Sequence, residues 1–197
     1  MGSAFIVALA IAIAVYNLAG PSHRLGMALR ATARWSFLWF CLATYGGALT
    51  TLFGAPFLAL ARRGRDLGLA FVAAHSVHIL LAAWQLYVSP DPFPRVALIV
   101  FSVGVFWTAV LAVLSLSSQL SQWLGPQRWK AVRALGVEYI AFAFAFEFGG
   151  RILGGNRANA VHYLPLFLAA VGGPLLRIGA SIKRRRNAHY SVGLSSG

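Results

Sequence analysis

Residues 67–88, LGLAFVAAHSVHILLAAWQLYV, decide the fold class of this chain. A helix rises about 1.5 Å per residue, so roughly 20 apolar residues match a hydrocarbon core about 30 Å thick. The arginine-rich segment Arg62-Arg63-Gly64-Arg65 precedes this stretch, and Trp84 and Tyr87 stand near its far end. Basic residues at one end and aromatic residues at the other are typical of a helix that crosses a membrane.

Two histidines, His75 and His78, lie near the middle of this stretch. Their i, i+3 spacing places them on one face of a helix. Ionisable side chains at that depth are rare and usually face the interior of a helix bundle. The pair is therefore the first candidate for a functional site, and its alternative is two polar residues that hydrogen-bond across helices.

The composition of the whole chain indicates an integral membrane protein. Its 197 residues are 59% hydrophobic and only 11% charged, whereas a soluble domain carries about 25% charged residues. The net charge is +13, and the basic residues that produce it lie between apolar runs. In that position they are suited to bind anionic lipid headgroups rather than nucleic acid. The single cysteine, Cys41, excludes a disulfide framework within the chain.

Residues 67–88 are one of six apolar runs, which are separated by turn residues. They comprise residues 3–18, 35–61, 67–88, 96–116, 132–148 and 161–182. We predict an all-α fold in which residues 1–182 form a bundle of about six transmembrane helices. Residues 183–197 are predicted to be a basic, disordered cytoplasmic tail. Gly54 and Pro56 predict a kink in the second run, and Pro165 and Pro174 predict bends in the sixth.

The distribution of lysine and arginine predicts the orientation of six spans. Eleven of these residues fall on the side that carries both termini, and six fall on the other side. The positive-inside rule then places both termini in the cytoplasm, as expected for a protein of the bacterial inner membrane.

Two motifs resemble the ferric reductase-like transmembrane domain family. Residues 62–81, RRGRDLGLAFVAAHSVHILL, are similar to its third-helix pattern R-x-L-G-L-x-F…L-H, with His78 at the position of a haem-ligating histidine. Residues 124–139, LGPQRWKAVRALGVEY, are similar to the entry of its fifth helix, L-G…W-[RK]-x-L-H-x-L-x-x-Y. The resemblance implies a haem b domain that moves electrons across the membrane.

Two positions depart from the family pattern. Arg133 stands where the fifth-helix pattern has a histidine, and Phe146-Glu147-Phe148 stands where many members have another. Arginine stays protonated and has no lone pair for iron. This departure predicts no cofactor, with haem b as the alternative.

Two further residues are candidate partners of the histidine pair. Glu138 lies at a depth similar to that of His78 and is a possible intramembrane polar partner, while Glu147 is expected to pair with Arg151 at i, i+4. His162, at the start of the sixth run, is a possible haem ligand together with His75 or His78.

Two functions follow from these observations. The chain is expected to be a haem-free relative that acts as a structural or assembly subunit with other membrane polypeptides. The alternative is a haem b electron-transfer protein, a membrane oxidoreductase component whose donor is a separate polypeptide or a quinol, since no nucleotide-binding motif is present. A proton relay through His75, His78 and Glu138 is a third possibility.

Overall fold

The computed structural model describes residues 2–20, 23–89, 94–154 and 157–194, and every regular element in these ranges is helical. The all-α prediction is confirmed. The elements in chain order are α1 (Gly2–Leu18), α2 (Arg24–Phe53), a 3-10 turn (Ala55–Phe57), α3 (Leu58–Arg62), α4 (Gly64–Val88), α5 (Arg95–Leu116), α6 (Ser118–Leu124), α7 (Pro126–Gly154) and α8 (Arg157–Leu194).

Within this part of the chain, four helices are long and apolar enough to cross a membrane. They are α2, α4, α5 and the Ala160–Asn187 portion of α8. Helix α1 is apolar but has only 17 residues. Helix α7 has 29 residues, but charged side chains interrupt its apolar sequence throughout, among them Glu138 and Glu147. The helices support the prediction of a helical membrane protein.

Helix α2 lies at the centre and packs against α1, α4 and α8. Its buried face includes Ala28, Thr32, Ser36 and Phe40, which recur every four residues. Small side chains on such a face let neighbouring helices approach closely. The predicted start of this span at residue 35 is wrong, because the buried small-residue face continues to Ala28, about two turns toward the N-terminus, and the helix begins at Arg24.

Small residues also bring α1 onto the bundle. Ala4, Ala8 and Ala12, again four residues apart, are its buried residues. Ala8 and Ala12 form one apolar cluster with Ala74 and Val77 of α4. The short first helix is therefore packed along its alanine stripe rather than isolated.

Helix α2 ends at Phe53, where the sequence predicts only a kink in a continuous helix. Gly54 has φ +88°, a conformation that favours glycine, and the 3-10 turn that follows contains Pro56. Helix α3 then packs back against α2. At their contact, a Cβ on Gly46 would lie 2.7 Å from the backbone nitrogen of Ala61, so only glycine fits without a shift.

Aromatic side chains form the core between α2, α4 and α7. Phe37 of α2 lies 4.9 Å from Phe144 and 5.1 Å from Phe148 of α7, measured between ring centroids. Phe40 lies 5.4 Å from Phe71 of α4. Such pairs add about 0.5–1.5 kcal/mol each beyond the burial of their apolar area. This cluster fixes α7 opposite the histidine-bearing helix.

Helix α8 docks on α2 through a tyrosine. The hydroxyl of Tyr45 donates to the backbone carbonyl of Ala169, and its ring packs where a Cβ on Gly173 would lie, only 2.6 Å from Cε1. The helix is continuous through Pro165 and Pro174 and extends to Leu194. Residues 183–194 are thus helical, which differs from the disordered tail that their polarity predicts.

Candidate functional site: a histidine pair between α2 and α4

Helix α4 presents His75 and His78 on one face, as their spacing predicts. Their rings stack with centroids 5.3 Å apart and planes 25° apart. Phe71, one turn earlier, stacks on His75 at 5.0 Å. The three rings form a continuous stack along α4, because residues three and four apart are neighbours on a helix surface.

Each imidazole contacts a hydroxyl of α2. The Nδ1 atom of His75 lies 3.1 Å from Oγ of Ser36, and Nδ1 of His78 lies 3.2 Å from Oγ1 of Thr32. Both hydroxyl residues are fully buried. Thr32 and Ser36 are one turn apart on α2, and His75 and His78 are about one turn apart on α4. Each hydroxyl can therefore contact one imidazole.

The hydroxyl contacts favour the tautomer in which Nδ1 of each imidazole carries the proton. Oγ1 of Thr32 lies 2.9 Å from the carbonyl oxygen of Ala28, and Oγ of Ser36 lies 3.0 Å from that of Ala33. A carbonyl only accepts, so each hydroxyl donates its single proton to the backbone. Both contacts are then satisfied when Nδ1–H of each imidazole donates to the hydroxyl, which leaves each Nε2 with a free lone pair.

The two rings line a small cavity between four helices, α2, α4, α5 and α7. Its volume is about 100 Å³. Helix α5 contributes Gly104 and Thr108 to the wall, and α7 contributes Phe144 and Glu147. Apart from the imidazoles, Thr108 and Glu147 supply the polar groups that face this space.

The carboxylate of Glu147 is held by its own helix. Nε of Arg151 donates to Oε1 of Glu147 at 2.8 Å, so the predicted i, i+4 pair is confirmed. The Glu147 side chain remains 49% exposed. It closes one side of the cavity but makes no hydrogen bond with either histidine among the described residues.

Glu138 does not partner His78, and this prediction is wrong. Its two carboxylate oxygens accept from Nε and Nη2 of Arg177 on α8, at 2.7 and 2.9 Å. Glu147 follows Glu138 by nine residues, and this distance corresponds to about two and a half helical turns. The two acids therefore point to opposite sides of α7. The similar depths of Glu138 and His78 in the membrane did not show on which side of α7 the Glu138 side chain lies.

His162 is not part of the site. It lies on α8, is exposed, and does not line the cavity that His75 and His78 share. The adjacent Tyr163 is the buried residue of that turn. His162 therefore stands on the outer side of the helix, where it cannot complete a ligand pair.

The residues present do not fit a haem held between two imidazoles. His75 and His78 lie on the same helix with parallel rings, so they cannot approach one iron from opposite faces. The facing helix offers Phe144, and the cavity of about 100 Å³ is smaller than the roughly 300–1,000 Å³ of most ligand sites. In the described part of the chain, no three His, Cys, Asp or Glu side chains are grouped as a metal site requires.

Sequence reasoning missed three residues that determine the geometry. Thr32 and Ser36 hold the imidazoles, and Arg177 neutralises Glu138. The i, i+4 spacing of the two hydroxyls was a usable signal, because it matches the spacing of the histidines to within one residue. Arg177 stood inside an apolar run, which is itself a signal for an acidic partner.

Comparisons with known proteins leave the site geometry as the basis for assigning a function. No protein-family model, curated protein or solved structure matches the chain.

Proposed function

We propose that this chain is a haem-free relative of the ferric reductase-like transmembrane domain that acts as a structural or assembly subunit of a larger membrane complex. One observation carries the proposal: both cavity histidines lie on α4 and hydrogen-bond to α2, while α7 faces them with Phe144. A haem that bridges helices needs an imidazole from each. A histidine–hydroxyl layer instead fixes the register of α2 against α4, with about 0.6 kcal/mol per hydrogen bond.

The proposal includes six spans, formed by α1, α2, α4, α5, α7 and α8, in the bacterial inner membrane. Two ion pairs support a transmembrane position for α7. Glu138 pairs with Arg177, and Glu147 pairs with Arg151. Pairing lowers the cost of placing charged groups in a membrane. The distribution of basic residues then favours cytoplasmic termini.

A flank of α7 and α8 supports contact with another polypeptide. The Glu138 side chain is 46% exposed and that of Arg177 is 23% exposed. Nη1 of Arg177 is buried and has no hydrogen-bond partner among the described residues. A partly exposed ion pair is costly against lipid, so a protein surface that covers Glu138 and Arg177 would stabilise it.

Extraction of the native membrane in a mild detergent tests the subunit role. We expect the chain to be recovered with other membrane polypeptides. The double variant Glu138→Gln/Arg177→Gln removes the ion pair that joins α7 to α8 on this flank, without changing net charge, and should weaken that association. The control Glu147→Gln/Arg151→Gln removes an ion pair on the opposite side of α7 and should leave it intact. Recovery of the unmodified chain only as an isolated monomer would argue against a subunit role.

A further inference from the structure

A second, larger cavity opens beside the basic start of α4. Its volume is about 350 Å³. Helices α4, α5, α6 and α7 enclose most of it, and α2 contributes to its wall. Apolar or buried residues form the walls, among them Leu69, Phe71, Leu111 and Ile140.

The exposed lining of this cavity is basic and polar. Arg65 and Arg133 are both exposed and both line it, together with Trp129, Ser118 and Ser121. No aspartate or glutamate contributes to the lining. The cavity therefore combines a positively charged, hydrogen-bonding mouth with an apolar interior.

The two arginines differ in how they are held. Arg65 bridges α4 to α5, because its Nε and Nη2 donate to the carbonyl oxygen of Ser115 at 3.2 and 2.8 Å. A guanidinium has five N–H donors, so Arg65 retains donors for a ligand. Arg133 makes no hydrogen bond or ion pair with any residue that the structure describes. The opening is thus bordered by the hydrogen-bonded guanidinium of Arg65 and by that of Arg133, which has no hydrogen-bond partner among the described residues.

We propose that this cavity binds one anionic phospholipid, with its phosphate held by Arg65 and Arg133 and an acyl chain against the apolar wall. Arginine recognises phosphate through paired, charge-assisted hydrogen bonds. Basic pockets between transmembrane helices are suited to anionic headgroups. The half-buried Trp129 at the mouth suits the headgroup level, where tryptophan is enriched. A small soluble phosphate would satisfy the arginines but would leave the apolar wall without a partner.

Binding of defined probes to the full-length protein in detergent tests this assignment. Phosphatidylglycerol, phosphatidylcholine with the same chains, and inorganic phosphate are added separately, and binding is followed by native mass spectrometry. We expect phosphatidylglycerol to bind more tightly than phosphatidylcholine and inorganic phosphate not to compete. An arginine near a membrane surface contributes about 1 kcal/mol toward anionic lipid, so Arg133→Gln should weaken phosphatidylglycerol binding about fivefold.

The control for Arg133→Gln is Arg128→Gln. It removes the same charge from the same helix at an exposed position that does not line the cavity, so binding should be unchanged. Because Arg133 has no hydrogen-bond or ion-pair partner among the described residues, its replacement should leave the fold intact. Equal binding of both lipids, competition by inorganic phosphate, or equal losses in the two variants would each overturn the assignment.

Discussion

The hydroxyl groups of Thr32 and Ser36 determine how the imidazoles of α4 are held. We expect Thr32→Val to lower the free energy of unfolding by about 1 kcal/mol, because the variant keeps the side-chain volume but leaves Nδ1 of His78 without its acceptor. Thermal unfolding in detergent measures this loss as a decrease of about 2–4 °C in the midpoint.

Thr50→Val is the matched control for Thr32→Val. Its hydroxyl donates only to the carbonyl oxygen of Gly46 within α2, at 2.8 Å. The substitution removes no hydrogen bond between the described helices and should leave the midpoint nearly unchanged. Equal destabilisation by the two valines would show that the Thr32–His78 contact does not stabilise the bundle.

The sequence predicted the histidine pair but not its partners. The i, i+3 spacing correctly placed His75 and His78 on one face, because that relation is local to a helix. The partners depend on which face of α2 meets α4, and the only local signal for this was the i, i+4 spacing of Thr32 and Ser36. The same limit explains the wrong partner for Glu138, since depth along α7 was compared without the direction in which the side chain points.

Glycines at helix contacts set how closely the elements pack. Gly46→Ala should destabilise the protein by about 1–3 kcal/mol, because the new Cβ would lie 2.7 Å from the nitrogen of Ala61 and 2.8 Å from the carbonyl carbon of Leu60. These are backbone atoms, so the α2–α3 contact must open to accommodate the methyl group. A denaturation series in detergent measures the change.

The neighbouring Gly47 supplies the control for that substitution. A Cβ at this position has nothing within 4 Å, and alanine is favoured over glycine inside a helix by about 0.5–1 kcal/mol. Gly47→Ala should therefore be neutral or slightly stabilising. If Gly46→Ala were equally well tolerated, the close packing of α3 on α2 would be contradicted.

Helix boundaries were predictable where the apolar pattern ends sharply. The predicted run 96–116 agrees with α5 to within one residue, and α5 begins directly after its N-cap, Pro94. Helix α2 was predicted less well, because its first turns contain arginines and alanines that hydropathy does not recognise as a packed face. The break at Gly54 uses a positive φ, whereas Gly54 and Pro56 in the sequence predicted only a kink, because neither residue type distinguishes a bent helix from one that ends.

The asymmetry of basic residues governs how the whole molecule sits in a membrane. We expect a reporter fused after Gly197 to be active on the cytoplasmic side, since lysine and arginine are concentrated on the side of both termini. A reporter fused near Gly125 should give the same result, because the α6–α7 connection lies on that side of a six-span bundle. An external signal from the first fusion together with a cytoplasmic signal from the second would contradict six spans.

An absorption spectrum shows whether the histidines join helices or ligate haem. The protein, purified from its native membrane in mild detergent, is measured as isolated and after reduction with dithionite, alongside His78→Ala. We predict no Soret band in either state of either protein, together with a slightly lower unfolding temperature for His78→Ala. A Soret band that shifts on reduction and disappears in His78→Ala would contradict the haem-free account.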